Sequence, residues 1–203
     1  MTSTEKKAGK LKLDSKFSVT WTGSSAKIAW GQVKDADTVE VYAAYCSTGA
    51  MKLVKTLKGA ASSWTLSKLN GKKLDQTANI KVMVKVYRTV NGEKTLIAKS
   101  ITAHVVGPKS AEYTNPKKIT LKKSSFTLQA GKTAQIQATV VLQDKTKQPL
   151  GDSHAPELRY ASSNENVAKV SEDGFITAVS SGECTVYVYA RNGLAKTVKV
   201  KVK

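Results

Sequence analysis

The segment "SSNENVAKVSEDGFITAVSSGECTVYVYA", residues Ser162–Ala190, alternates short apolar runs with polar ones. Its Ser, Asn, Asp and Glu residues are types that serve binding sites as well as turns. Asp173 and Gly174 separate "VAKV" from "FITAV", and such residues let a chain reverse with little strain. "SSG", residues 180–182, marks the next reversal. The pattern therefore predicts short strands joined by turns, and not a catalytic segment.

Apolar and polar residues alternate with period two through most of the chain, which is typical of half-buried strands. In the second half, the alternating segments are "TAQIQATV" (133–140), "CTVYVYA" (184–190) and "TVKVKVK" (197–203). In the first half, they are "FSVTWT" (17–22), "AKIAW" (26–30), "TVEVYAAY" (38–45) and "NIKVMVKVYRTV" (79–90), and no helical period is sustained. Asn91-Gly92 predicts a tight hairpin, and Trp30 is the expected core anchor of the first half. Short strands with frequent turn signals favour β-sandwiches.

The stretch "HVVGPKSAEYTNPKKITL", residues 104–121, interrupts these strands with turn residues and has little apolar content. It predicts a first domain over residues 1–107, a linker over 108–116 and a second domain over 117–203. The predicted fold class is all-β, with two sandwiches in tandem.

The charge of the chain is strongly basic and is carried by lysine. Lys and Arg total 33 against 15 acidic residues, a net charge of +18, and the only arginines are Arg88, Arg159 and Arg191. Arginine supplies the bidentate fork used on phosphates and guanine edges. The composition therefore excludes sequence-specific nucleic-acid binding and predicts weak, salt-sensitive attraction to polyanions.

The sequence offers few residues for catalysis or metal binding. Cys46 and Cys184 lie far apart, with no CxxC motif and no Cys/His cluster, so neither a zinc site nor a disulfide is expected. No paired carboxylates, triad or phosphate-binding glycine loop stands out. We therefore predict a non-enzymatic chain with no catalytic, cofactor-binding or metal-binding residues. His104 is expected at a surface or strand edge.

Two groups of residues are candidates for ligand contact. "GDSHAPE", residues 151–157, places Asp152, His154 and Glu157 in one loop, where a solvated loop is favoured over a weak metal or glycan contact. Tyr187 and Tyr189 share the face opposite Cys184, and exposed rings there would stack on sugars. Ordinary strand propensity, or contact with the neighbouring domain, is the favoured interpretation of these two tyrosines.

The second half resembles the bacterial immunoglobulin-like domains of group 2 (BIG2). The matching segments, from about Lys117 to Lys203, are "ITLKKSSFTLQAGKTAQIQATV", "SSNENVAKV", "DGFITAV" and "SGECTVYV". Tyr160 stands where the family usually has Trp, and the loop of residues 142–158 is longer than usual. The resemblance implies an Ig-like sandwich.

The first half resembles a fibronectin type III module, through "KIAWGQVKDADTVEVYAAY" with Trp30 as the core indole, and through "VKVYRTVNGEK". Such modules are common in surface and secreted proteins of gut Firmicutes. Together the resemblances imply two Ig-like domains of a non-catalytic protein. The chain has no membrane-spanning apolar run and no signal peptide at its start, which leaves open either a cytosolic protein or an excised segment of a longer secreted chain. The resemblances favour the second, so we expect a monomeric segment of an extracellular or cell-surface protein.

The leading functional hypothesis is a spacer or adhesion unit whose partners are cell-wall glycans, host glycans or another surface protein. One alternative is an accessory glycan-binding unit of a polysaccharide-degrading enzyme. A weak binder of cell-wall polyanions and a domain of a phage virion are the others.

Overall fold

The computed structural model describes residues 3–151 and 153–203, and it consists mainly of β-strands with one helix. The all-β, Ig-like fold class is confirmed. The strands build two separate core clusters, one from residues 13–105 and one from residues 119–202. We call the two strand assemblies around these cores the N-terminal and the C-terminal sandwich.

The N-terminal sandwich pairs a three-stranded sheet, β1-β2-β5, with a five-stranded sheet in which β3 and β8 are central. In the second sheet, β4 pairs with β3, while β9 and β10 both pair with the other edge of β8. The strands are β1 (Ser18–Thr22), β2 (Ser25–Ala29), β3 (Thr38–Tyr45), β4 (Lys52–Lys58), β5 (Ser63–Leu66), β6 (Lys68–Leu69), β7 (Lys72–Lys73), β8 (Ile80–Val90), β9 (Glu93–Lys99) and β10 (Ala103–Val105). The short β6 and β7 form a separate hairpin.

The alternating residues of the N-terminal sandwich face inward as predicted. Ala26, Ile28 and Trp30 are all buried, and the Trp30 Nε1 donates a hydrogen bond to the Ala61 carbonyl oxygen over 2.9 Å. The Asn91-Gly92 hairpin is also confirmed, because both residues have positive φ, as a two-residue β-turn of this type requires.

The expectation of no helix in the first half is wrong, since residues Ser3–Asp14 form helix α1. It packs along β9, and the buried Leu13 joins the N-terminal core. Its last turn approaches Gly31 so closely that a Cβ there would lie 1.9 Å from the Lys12 carbonyl oxygen. The helix escapes prediction because few of its side chains are buried and its apolar contacts are supplied by distant strands.

The C-terminal sandwich is built from three sheets, with orders β11-β14, β12-β19-β18-β15 and β13-β17-β16. Its strands are β11 (Pro116–Leu121), β12 (Ser125–Leu128), β13 (Thr133–Gln135), β14 (Ala138–Leu142), β15 (Leu158–Ser162), β16 (Ala168–Val170), β17 (Phe175–Ala178), β18 (Gly182–Ala190) and β19 (Ala195–Val202). The pair β12-β19 is parallel and the other strand pairs are antiparallel.

The opening segment folds as its pattern predicts, with β16 and β17 joined by a turn at Gly174 and followed by β18. The segment 133–140, by contrast, was predicted as one strand and forms two. It breaks after Gln135, where the Ile136 N–H donates to the Gly174 carbonyl oxygen, and then joins another sheet as β14. The alternation continues through the break because Ile136, between the two strands, and Ala138 and Val140 of β14 all pack in the same core. No helix in the described part of the chain is long and apolar enough to span a membrane.

Candidate functional site

The two sandwiches meet at a junction, which we define by Asn115, Arg159, Tyr189, Arg191 and Asn192. All are buried except Arg159, which is half-buried. Polar groups removed from water need partners, so the hydrogen bonds of these residues decide how firmly the sandwiches are joined.

Asn115 closes the segment between the sandwiches with a two-way contact to Val106. Its Oδ1 accepts from the Val106 N–H over 2.8 Å, and its Nδ2 donates to the Val106 carbonyl oxygen over 2.9 Å. On the other side, the Nδ2 of Asn192 donates to the Pro116 carbonyl oxygen over 2.9 Å. Asn115 therefore holds Val106 after β10, and Asn192 holds the first residue of β11, so the connecting segment is fixed at both of its ends.

The two arginines of the junction use their guanidinium groups on backbone oxygens. Arg159, on β15, donates to the Thr102 carbonyl oxygen of the N-terminal sandwich over 3.0 Å. Arg191, in the β18–β19 turn, donates to the carbonyl oxygens of Leu150 and Ala155, while its own carbonyl oxygen accepts from the His104 N–H over 3.0 Å. Arginine therefore links the halves through fixed directional bonds and not through surface charge.

Helix α1 also reaches the junction. Burial raises the pKa of Asp14 despite the opposing effect of Lys10, and the carboxyl group accepts from the Ile101 N–H over 2.9 Å. Its charge interacts with Arg159, whose pKa burial lowers. Lys7 forms an ion pair with Glu165, so the helix contacts both sandwiches.

Tyr187 and Tyr189 do not form an exposed platform. Their rings are stacked 6.0 Å apart, but Tyr189 is only 1% exposed and Tyr187 is half-buried. Lys10 of helix α1 lies 5.8 Å from the Tyr189 ring centre, and burial raises the pKa of the Tyr189 hydroxyl. This arrangement agrees with the favoured interpretation of contact with the neighbouring half, because Lys10 of helix α1 lies over the buried Tyr189.

The three candidate residues of the "GDSHAPE" loop, which the sequence places close together, have different outcomes in the structure. Asp152 lies outside the described residues, and Glu157 is exposed. His154 instead packs against His104 of β10, with ring centres 5.9 Å apart and planes at 67°. Arg191 holds the loop on both sides of His154, at Leu150 and Ala155.

His104 and His154 stand together with Cys46, which follows β3. The Cys46 Sγ lies 3.6 Å from the His104 Nδ1, and one potential ligand atom from each of the three residues lies within 4.8 Å of the others. The sequence shows no Cys/His cluster, but the folded chain brings these three residues into one, so the expectation of no such cluster is wrong. No sequence signal could have identified it, since the residues are distant in sequence and come together only at the junction.

The surroundings of this cluster keep both reactive groups uncharged. Burial, assisted by His154 and Arg159, lowers the pKa of His104 to about 4. Burial raises the pKa of the Cys46 thiol to about 11, against a smaller lowering by Lys81. A pocket of about 440 Å³ opens beside Cys46 and His154, and its lining includes Asn79, Glu112 and Tyr113. The cluster is therefore accessible from solvent at one side.

Cys184 is separate from this cluster and belongs to the other core. It is 8% exposed on β18, and both cysteines are free, as predicted. A buried thiol among valines acts as a small apolar side chain.

Comparison with known proteins gives a family match for the C-terminal sandwich. Residues 116–201 match the model of the family described as bacterial Ig-like domain (group 2), and Ig-like domain families are generally non-catalytic. A search of curated proteins found no match to the chain.

Solved structures similar to the chain include the S-layer protein SbsC, the intimin fragment bound to its receptor, and chicken CNTN1. SbsC domains 4 and 5 are 15% identical over 60% of this chain and 64% of that one, with a TM-score of 0.35. The C-terminal 282-residue fragment of intimin, in complex with the intimin-binding domain of the translocated intimin receptor, is 10% identical over 87% and 56%, with a TM-score of 0.29. The FN1–FN3 domains of chicken CNTN1 are 10% identical over 92% and 64%, with a TM-score of 0.35. The chain spans less than two thirds of each of these structures.

Proposed function

We propose that the chain is a non-catalytic module of a bacterial surface or secreted protein, and that it acts as a stiff spacer that presents an interaction surface. The observation that carries the proposal is the junction, where the half-buried Arg159 bonds to Thr102 of the other sandwich, and the buried Asn115 and Asn192 bond to backbone groups at either end of the connecting segment. A spacer needs fixed spacing between its domains, and domain pairs without such contacts move relative to each other. The bacterial Ig-like match over residues 116–201 supports the surface assignment.

The domain organisation within this proposal is a fibronectin type III-like domain over residues 1–107, a linker over 108–116 and a BIG2 domain over 117–203. Two separate core clusters support the division. The β1-β2-β5 sheet facing β4-β3-β8-β9 supports the fibronectin-like assignment of the first domain. Ser110, Thr114 and Asn115 are buried, so the linker is short and held against both sandwiches.

Stiffness is tested by comparing the rotational correlation times of the two sandwiches from backbone NMR relaxation. We expect one shared value for the parent chain. In Arg159→Met the bond to Thr102 is lost, and the two values should separate. Arg88→Met is the matched control, because among the described residues Arg88 bonds to Lys34 and Asp35, within the N-terminal sandwich. Separate values in the parent would overturn the spacer proposal.

A second candidate function is weak binding of anionic cell-wall polymers, which the net charge of +18 favours. Retention on a heparin column should fall steeply between low salt and about 0.15 M salt, because lysine contacts act through counterion release. Retention that resists salt would instead indicate a specific site. Glycan binding as an enzyme accessory lacks comparable support, since Tyr189 is covered.

A further inference from the structure

We propose that Cys46, His104 and His154 bind one Zn²⁺ ion, and that this ion fastens the loop segment of residues 153–157 to the edge of the N-terminal sandwich. The three residues come from β3's end, from β10 and from the loop, so the site exists only where the sandwiches meet. This proposal adds a bound metal ion to the junction. It does not depend on whether the chain binds a polymer.

The spacing of the ligand atoms fits a tetrahedral zinc ion. Zinc binds thiolate sulfur at about 2.3 Å and imidazole nitrogen at about 2.0–2.1 Å, which places the two ligand atoms about 3.6 Å apart in a tetrahedron. The Cys46 Sγ and the His104 Nδ1 are 3.6 Å apart. The third ligand atom, on His154, lies within 4.8 Å of the other two, so a shift of at most about 1.5 Å brings it to the spacing of about 3.3–3.6 Å between ligands of a tetrahedral zinc ion.

The ligand types select the metal. One thiolate and two imidazoles suit Zn²⁺, whereas Mg²⁺ and Ca²⁺ take oxygen ligands. When the Zn–S bond forms, the Cys46 thiol releases its proton to solvent, and each neutral imidazole contributes a nitrogen lone pair. Lys81, Arg159 and Arg191 lie near His104 and would repel a cation bound there. The negative charge of the Cys46 thiolate offsets part of this repulsion.

Arg191 positions two of the three ligands. Its carbonyl oxygen accepts from the His104 N–H, and its guanidinium holds the loop at Leu150 and Ala155 on either side of His154. Cys46 is fixed independently, because its N–H donates to the Asn79 carbonyl oxygen over 2.8 Å. Such outer support is what orients the ligands of metal sites.

Cys46 and His154 both line the 440 Å³ pocket, so a water molecule there would be available as the fourth ligand of the ion. Asn79 lines this pocket, and its buried Oδ1 has no hydrogen-bond partner among the described residues. A metal-bound water would supply the donor that this oxygen lacks. The unpaired amide is a second observation that points to a ligand in the pocket.

The test is titration of the tag-free, chelator-treated chain with ZnCl₂, followed by isothermal calorimetry. We expect one ion per chain, affinity reduced at least about tenfold in Cys46→Ser and in His154→Gln, and unchanged affinity in Cys184→Ala. CoCl₂ should produce a thiolate-to-metal absorption band in the parent and in Cys184→Ala, but not in Cys46→Ser. MgCl₂ should give no binding.

The His154 variant separates a junction site from a local one, and it changes only a loop side chain, so it keeps the test valid if Cys46→Ser folds poorly. Zinc should raise the melting temperature of the parent but not of His154→Gln, because an ion bound only to the native state stabilises it. Zinc binding of equal strength in His154→Gln, a cobalt spectrum without the thiolate band, or no zinc binding by the parent would each overturn the proposal.

Discussion

The two cores differ in the size of the side chains that fill them. The N-terminal core contains Phe17, Trp30 and the helical Leu13, all nearly inaccessible to solvent. The fully buried members of the C-terminal core are aliphatic or small, and its rings, Phe126 and Tyr160, are only partly buried. The N-terminal core therefore depends on a few large side chains, while the C-terminal core distributes its burial over many valines and alanines.

This difference is related to how each sandwich is closed. The N-terminal sandwich is covered along β9 by helix α1, which is itself held by the bond between Asp14 and Ile101. In the C-terminal sandwich the largest fully buried side chain, Tyr189, faces helix α1 and not its own core cluster. Part of its burial is therefore contributed by the other half of the chain.

Replacement of Trp30 by Ala should have the largest effect on stability. The indole is 2% exposed and its Nε1 is hydrogen-bonded, so its loss should destabilise the fold by about 3–5 kcal/mol. Tyr160→Ala is the comparison in the C-terminal core and should destabilise by about 1–3 kcal/mol, because that ring is partly exposed. Chemical denaturation measures both values, and equal losses would mean that the two cores are not organised differently.

Helix α1 gives the next effect. Leu13→Ala should destabilise the N-terminal sandwich by about 2–5 kcal/mol, since the side chain is fully buried in that core. Leu53→Ala is the matched control, because Leu53 is 48% exposed and its truncation should change stability by less than about 0.5 kcal/mol. Urea denaturation of both variants measures these changes in the free energy of unfolding. If Leu13→Ala behaves like its control, the helix does not complete the core.

The fold was predictable where the deciding contacts are local. Gly174 and Asn91-Gly92 sit in turns that join neighbouring strands, and Trp30 follows the alternation of its own strand, so sequence pattern was enough. Helix α1 was missed because Leu11 and Leu13 supply a narrow apolar face that only the distant β9 completes. The break after Gln135 was missed because a change of sheet does not disturb the two-residue period.

The candidate site was largely unpredictable for the same reason. His154 was selected for its sequence neighbours Asp152 and Glu157, but the structure places it against His104 and Cys46. Tyr189 was correctly placed opposite Cys184, but strand alternation does not reveal that another domain covers that face. The two-residue period of a strand shows which face of the sheet each residue lies on. It does not show which faces of the two sandwiches contact each other.

The junction variant Asn115→Ala tests whether the two cores unfold together. It removes the partner of both the N–H and the carbonyl group of Val106, which are buried, so a loss of about 1–3 kcal/mol is expected. Differential scanning calorimetry should show one transition for the parent and two for the variant. Asn166→Ala is the control, since Asn166 is exposed in the turn before β16. Two transitions already in the parent would contradict coupling through the junction.

Acid sensitivity should give the smallest effect and should arise in the N-terminal sandwich. Burial alone would raise the pKa of Glu40, but hydrogen bonds from Lys94, Tyr42 and Tyr87 outweigh it and lower that pKa. A lowered carboxyl pKa stabilises the fold above the unfolded value of about 4.3, and this contribution is lost as pH falls through the folded value. Glu40→Gln should therefore be less stable than the parent by up to about 1 kcal/mol near neutral pH, since Lys94 is half exposed.

As pH falls below about 4 and through the lowered folded pKa of Glu40, the difference in stability between Glu40→Gln and the parent should close, because the parent carboxyl group becomes protonated. Glu183→Gln is the comparison in the C-terminal sandwich, where Glu183 and Lys201 form an ion pair and both side chains are exposed. That variant should match the parent within about 0.5 kcal/mol throughout the pH range. Urea denaturation at several pH values measures both. A gap for Glu40→Gln that widens toward acid would contradict the sign of the Glu40 effect, because only a carboxyl group with a raised pKa stabilises the fold more as it becomes protonated.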